Sequence, residues 1–249
     1  MFLASTTVLL SVVTPLVLAG ATHFGGIPSV GVLYTSDVKN HFCSASVIES
    51  KGGNVILTAG HCISGNGKNL RFAPGYHDGA TPYGTYPVIT AYVHPNWNKN
   101  HDINYDFAFL TLGKGSHGGK SVNVQQVTGG NKLVTNAGYK QSVQVVGYND
   151  KEQQPVHCQI GTYEAKAGQL GFDCGPFKGG TSGSPWLAGY NAKTKHGNVI
   201  GNIGGWHTGG CKDSTSYSSK YGAGTRDVFN RAVAGGRGDN VKGGASSGC

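Results

Sequence analysis

The sequence predicts an all-β protein, and three observations carry that expectation. Glycine supplies 42 of the 249 residues without a G-X-Y period and beside only 9 prolines, which fits tight turns between short strands rather than a collagen-like chain. Short β-branched and aromatic runs recur along the chain, separated by Gly, Asn and Pro clusters. Only residues 225–233 read as a convincing helix, with a capping residue at the start and Gly235-Gly236 after the end. A chain of this length accommodates one large domain or two small ones, and all-β barrel proteins commonly reach it as a single unit.

Residues 1–21 contain no charged side chain and carry an apolar run from Val8 to Val13 that resumes at Leu16. The small residues Ala19, Gly20 and Ala21 suit signal-peptidase cleavage after Ala21, with Ala19 as the alternative. A stretch this short, interrupted by Pro15, is a poor bilayer span. The expectation is therefore a signal peptide over 1–21, a secreted, extracellular protein and no stable membrane association.

The expected domain spans 22–235. Residues 28–34, 42–48 and 54–58 read as its first three strands, with a Gly52-Gly53 turn between the second and third. Further strands are expected at 86–92, 106–112, 142–146, 158–163, 186–187 and 198–203, a spacing that suits a sandwich or barrel. Residues 236–249 form a Gly/Ser-rich tail, flexible by composition, that ends in Cys249.

Six cysteines in an exported chain, none of them arranged as C-x-x-C, favour disulfides over a metal or redox site. Formal net charge is +8, but the lysines and arginines are scattered and form no basic arm, so no nucleic-acid partner is expected. The triplet Arg237-Gly238-Asp239 matches an adhesion motif, although three residues in a Gly-rich tail are weak evidence.

Three segments carry chemistry. In Gly179-Gly180-Thr181-Ser182-Gly183-Ser184-Pro185, a nucleophilic Ser182 would have its hydroxyl exposed, and the backbone N–H groups of Gly180 and Ser182 would face a developing oxyanion. Taken alone, the segment reads equally well as a Gly/Ser turn. In Leu57-Thr58-Ala59-Gly60-His61-Cys62, an apolar strand ends in a histidine suited to take a serine proton near neutral pH. His94, His101 and His207 lack such a setting and are expected on the surface or in loops. An acid that orients the imidazole is the third requirement. Asp102 and Asp106 are both candidates. Asp106 enters an alternating apolar strand, where a buried carboxylate is costly unless paired, so it is favoured.

Together these three motifs, in the order His, Asp, Ser and with a separation of 45 positions from His61 to Asp106, resemble the active-site signatures of the trypsin/chymotrypsin-like serine peptidases. The resemblance runs from about residue 28 to 234. It implies two six-stranded antiparallel β-barrels with the active site between them and a C-terminal helix. It also implies acyl transfer by His61, Asp106 and Ser182, protein or peptide substrates, a monomer, and no metal or organic cofactor. Within this frame the expected disulfides are Cys43–Cys62, Cys158–Cys174 and Cys211–Cys249.

The chain departs from the animal members of the family at the residue before the nucleophile. There an aspartate usually pairs with a freed N-terminus, but this chain has Thr181, so it is more similar to bacterial secreted members. Pro176 stands where selectivity for Arg or Lys would usually place an aspartate. Gly204, Gly205 and Trp206 resemble the strand that pairs with substrate, with Trp206 near the pocket. Two rivals remain: a catalytically silent homologue that binds partners through the same cleft, and an adhesive protein resting on the Arg-Gly-Asp triplet.

Overall fold

Residues 20–244 and 249 are described by the computed structural model, so the expected signal peptide lies almost wholly outside the described residues. A two-residue strand, Thr22–His23 (β1), precedes six that close a barrel: Val30–Tyr34 (β2), Cys43–Ile48 (β3), Val55–Thr58 (β4), Arg71–Pro74 (β5), Tyr86–Val93 (β6) and Ala108–Leu112 (β7). The barrel order is β2-β3-β4-β7-β6-β5 and every pairing is antiparallel. Strands β2, β3, β4 and β7 are buried along their whole length because both of their faces are covered. Leu33, Ile56 and Leu110 fill the barrel interior, whereas their neighbours Val32, Leu57 and Phe109 belong to a second cluster shared with the other half of the molecule. Gly31 is obligatory where β2 crosses β5, since a Cβ there would fall on the Ala73 carbonyl oxygen.

A hairpin of Gly115–His117 (β8) and Lys120–Val122 (β9) leads through a short helix into the second half. There the strands are Lys132–Leu133 (β10), Ser142–Gly147 (β11), Val156–Gly161 (β12), Tyr163–Glu164 (β13), Leu170–Asp173 (β14), Pro185–Asn191 (β15), His196–Asn202 (β16) and Thr215–Ser218 (β17). They form one sheet, β1-β12-β11-β15-β16-β10, and a second, β13-β14-β17, around a core that includes Val145, Phe172, Trp186 and Ile200. The arrangement is the two-barrel architecture of a trypsin-like fold. The second barrel differs in detail: its ladder falls into two sheets, and β10 runs parallel to β16.

The C-terminal helix spans Ala223–Ala234 and seats Val228, Phe229 and Ala232 against barrel one, with Phe229 and Phe109 ring centroids 5.4 Å apart. Beyond it the chain does not behave as its glycine content suggests. Val241 is buried in barrel one and exchanges backbone hydrogen bonds with Gly65 at 2.7 and 2.8 Å. Asp239 accepts from Val93 N–H at 2.9 Å and pairs with Arg231 at 2.7 Å. Disulfides join Cys43 to Cys62, Cys158 to Cys174 and Cys211 to Cys249.

Between the two halves lies His41, fully buried against Tyr76 and Tyr148, with Nε2 3.0 Å from the Glu152 carbonyl and no partner at Nδ1 among the described residues. Burial pushes its pKa below the ordinary 6.5, against the opposing pull of the Glu152 carbonyl and the Asp150 and Glu152 charges. Burial likewise lowers His94 and His157. Below about pH 6.5 the unfolded chain takes up protons that these native imidazoles resist, so stability falls as pH drops through that window. Urea unfolding at about pH 7.5 and about pH 5 should show the loss, and His41→Phe should make it shallower. An equally steep loss in that variant would rule out His41 as a source.

Candidate active site

Barrel one delivers two of the three expected residues. After β4, a single 3-10 turn, Gly60–Cys62, presents His61, and the Cys43–Cys62 disulfide ties that turn to β3. Gly60 is packed so closely on Trp97 that a Cβ would approach the indole at 2.8 Å. Asp106 lies at the exit of the 3-10 turn Ile103–Tyr105, just before β7 rather than within it. Asp102 caps that turn, its carboxylate accepting from the Asn104 backbone and side-chain N–H groups, each at 3.0 Å.

Asp106 is fully buried, and its carboxylate is met by three N–H groups. Its Oδ1 accepts from His61 N–H at 2.9 Å, and its Oδ2 lies 2.8 Å from His61 Nδ1 and accepts from Gly205 N–H at 2.7 Å. With Asp106 ionised, Nδ1 carries the imidazole proton and Nε2 is left to accept. That nitrogen is 2.7 Å from Ser182 Oγ. Asn202 donates to the Asp106 carbonyl at 3.3 Å and accepts from Tyr221 O–H at 2.6 Å. Burial and the Asp106 charge together hold the Tyr221 pKa well above its usual value.

Barrel two delivers Ser182 on the loop before β15. Ser44 of β3 fastens this loop to barrel one: its N–H donates to the Ser182 carbonyl at 2.8 Å and its hydroxyl to the Gly180 carbonyl at 3.1 Å. Gly180 and Gly183 both have positive φ, +91° and +86°, and a Cβ on Gly183 would collide with the Ser44 carbonyl. Among the described residues, neither Gly180 N–H nor Ser182 N–H donates to a protein acceptor. Thr181 is buried and its hydroxyl donates to the Lys178 carbonyl at 2.7 Å, so a neutral contact stands where an ion pair was not expected.

A cavity of about 180 Å³ opens beside Ser182. Phe177, Ile203, Asp213, Ser216 and the Cys211–Cys249 pair are among its walls, whereas Pro176, Gly204, Gly205 and Trp206 are not. Gly204 N–H is spent on the Tyr217 carbonyl at 3.0 Å, and the Trp206 ring rests against Tyr217 and His207. The sequence pattern gave no signal for Asp213 or Ser216: Asp213 lies on the irregular segment after Cys211, and Ser216 is a small polar residue of the short strand β17. His94 stacks on Tyr105 and His101 meets the Lys242 carbonyl at 3.0 Å, both away from the Ser182 hydroxyl's partners.

A serine, a histidine and a buried aspartate in hydrogen-bonded sequence, set between two β-barrels, define the class of trypsin-like serine peptidases. The Trypsin family model matches residues 22–173, and the chain belongs to that family of serine-type endopeptidases. That match includes His61 and Asp106 and ends before Ser182. Among solved structures, the chain is similar to the protease Anisep from Arthrobacter nicotinovorans, with a TM-score of 0.72 and 23% identity over 86% of this chain and 99% of that one. It is also similar to the thermostable serine protease AL20 from an extremophilic microorganism, with a TM-score of 0.70 and 25% identity over 84% and 98% of the two chains. A Glu endopeptidase matches with a TM-score of 0.64 and 17% identity over 86% and 97%. No curated protein sequence matches the chain.

The Ser182 seat is testable through Gly183. Gly183→Ala should cost about 1–3 kcal/mol from backbone conformation alone, and more from the clash with Ser44. Thermal unfolding of the purified variant measures it, and an unchanged midpoint would contradict the packing described.

Proposed function

We propose that the chain is a secreted endopeptidase in which Ser182 is the nucleophile, His61 the general base and Asp106 the residue that orients and stabilises the imidazole. The observation that carries this reading is His61 held between two partners, Asp106 Oδ2 at 2.8 Å and Ser182 Oγ at 2.7 Å. The Ser182 hydroxyl attacks a peptide carbonyl while His61 Nε2 takes its proton. Gly180 and Ser182 N–H groups stabilise the tetrahedral oxyanion. The amine then leaves with the proton from His61, and water, activated by the same base, hydrolyses the acyl-enzyme.

Export is supported by the uncharged apolar stretch at residues 1–21 and by three disulfides. Among the described residues no helix is long and apolar enough to cross a membrane. Adhesion through Arg237-Gly238-Asp239 is disfavoured, because the Asp239 carboxylate is engaged by Arg231 and Val93. A silent homologue is disfavoured because all three reactive groups are retained within hydrogen-bond reach.

A fluorophosphonate probe should label the wild-type chain at Ser182 and leave Ser182→Ala unlabelled. Peptide hydrolysis by Ser182→Ala should fall by on the order of 10⁶-fold, as for nucleophile removal in other serine peptidases. Asp106→Asn should lower kcat by about 10⁴-fold, the cost known for this substitution in the type triad. Asp102→Ala should leave kcat unchanged. A folded wild-type chain that resists the probe would sink the catalytic reading, and a large loss in Asp102→Ala would move the acid's role.

A further inference from the structure

An oxyanion-binding peptide works only if its N–H points the right way before substrate arrives. In this chain the loop that carries Gly180 is gripped from one side by the turn at residues 149–152. Asp150 N–H donates to the Gly179 carbonyl at 2.6 Å, and Glu152 N–H closes the turn onto the Asn149 carbonyl at 3.0 Å. The Asn149 side chain makes the second grip: Oδ1 accepts from Lys178 N–H at 2.8 Å, while Nδ2 donates to Glu152 Oε2 at 3.0 Å. Glu152 is itself held, its carboxylate 2.8 Å from His23 Nε2 on β1 and 3.6 Å from Lys178 Nζ.

Two physical points give this contact its meaning. A trans peptide is planar, with C=O and N–H on opposite sides, so fixing the Gly179 carbonyl on Asp150 fixes the direction of Gly180 N–H. The fit is tight enough to exclude any side chain, since a Cβ on Gly180 would strike the Asp150 backbone and the Tyr148 carbonyl. Asn149 is 1% exposed, and a buried amide is costly unless both of its ends are satisfied, as they are here. The amide therefore couples the shape of one turn to the path of the loop at Lys178, one residue before the carbonyl that sets the oxyanion donor.

We propose that Asn149 is a positioning residue for the oxyanion hole: it locks residues 149–152 against residues 178–180 so that Gly180 N–H is aimed before substrate binds. This rests on the triad and oxyanion roles proposed above. The residue touches no reacting atom and acts through Lys178 and Gly179.

The test compares wild type, Asn149→Ala and Glu152→Ala in kcat and KM on a peptide amide, and in inhibition by a peptide aldehyde, whose hemiacetal oxyanion occupies the same donors. Asn149→Ala is expected to lower kcat by about 10–100-fold, short of the full loss of one oxyanion donor. KM should stay within about threefold, and aldehyde affinity should fall in parallel with kcat. A folded Asn149→Ala with wild-type kcat overturns the proposal, as does a kcat loss that leaves aldehyde affinity untouched. If that variant does not fold, Glu152→Ala decides, because its side chain is on the surface side of the turn. It frees Asn149 Nδ2 and should lower kcat by about 3–10-fold at unchanged KM, and unchanged kcat overturns the proposal. Probe labelling of wild type separates the failures: a labelled enzyme indifferent to Asn149 loses only the positioning role, whereas an unlabelled folded chain loses the catalytic reading and this proposal with it.

Discussion

A carboxylate with no access to water dictates the arrangement of everything around it. Asp106 is fully buried, and an ionised group in that position is tolerable only if its oxygens are filled with donors. Three N–H groups supply them, two from His61 and one from Gly205. The first two come from barrel one and the third from barrel two, so satisfying one charge also joins the halves of the molecule. Ser219, Asn202 and Tyr221 extend the join through the Asp106 backbone. The histidine that the proposed chemistry uses is therefore held by the same contacts that close the domain interface.

The Ser182 side of the site solves a different problem with neutral groups. Thr181 cannot form the ion pair that organises many relatives, and its hydroxyl instead closes a local turn onto the Lys178 carbonyl. Ser44, from the opposite barrel, adds two contacts to the carbonyls of Gly180 and Ser182 and receives Tyr148 N–H at 2.9 Å. None of these bonds needs a newly freed chain end.

The legible part of this architecture was the part written in short-range pattern. Short β-branched and apolar runs located β2, β3, β4 and β7 to within two residues, because a strand covered on both faces is rich in apolar residues along its whole length. The local motifs around His61 and Ser182 were dense because a reactive side chain needs glycine or a small residue on either side, here Gly60 and Gly183. Asp106 was harder: burial separated it from Asp102, but only the fold reveals that it sits at a turn exit rather than in a strand. Strands β5, β14 and β17 escaped notice because each is only four residues long and carries residues that do not read as strand: Pro74 in β5, Gly171 in β14 and the buried Ser216 and Ser218 in β17. The tail was hidden for the opposite reason, since one buried residue, Val241, anchors a stretch whose composition resembles a linker.

On the proposed catalytic reading, a substrate side chain would enter the cavity beside Ser182, and the make-up of that cavity explains why substrate preference resists the same approach. Its walls come from the Ser182 loop, Ile203 just after β16, residues 208–213, the start of β17 and Cys249, brought together by tertiary contacts and one disulfide. Pro176, six positions before Ser182, lies outside those walls, while Asp213 contributes a carboxylate from a segment with no motif of its own. The catalytic groups must obey bond lengths and pKa requirements shared by every enzyme using this chemistry, so their neighbours are constrained and recognisable. A pocket wall has only to present shape and charge from whichever loop reaches it. Reactivity in this fold is therefore concentrated in short, dense motifs, and selectivity is spread over residues that only folding assembles.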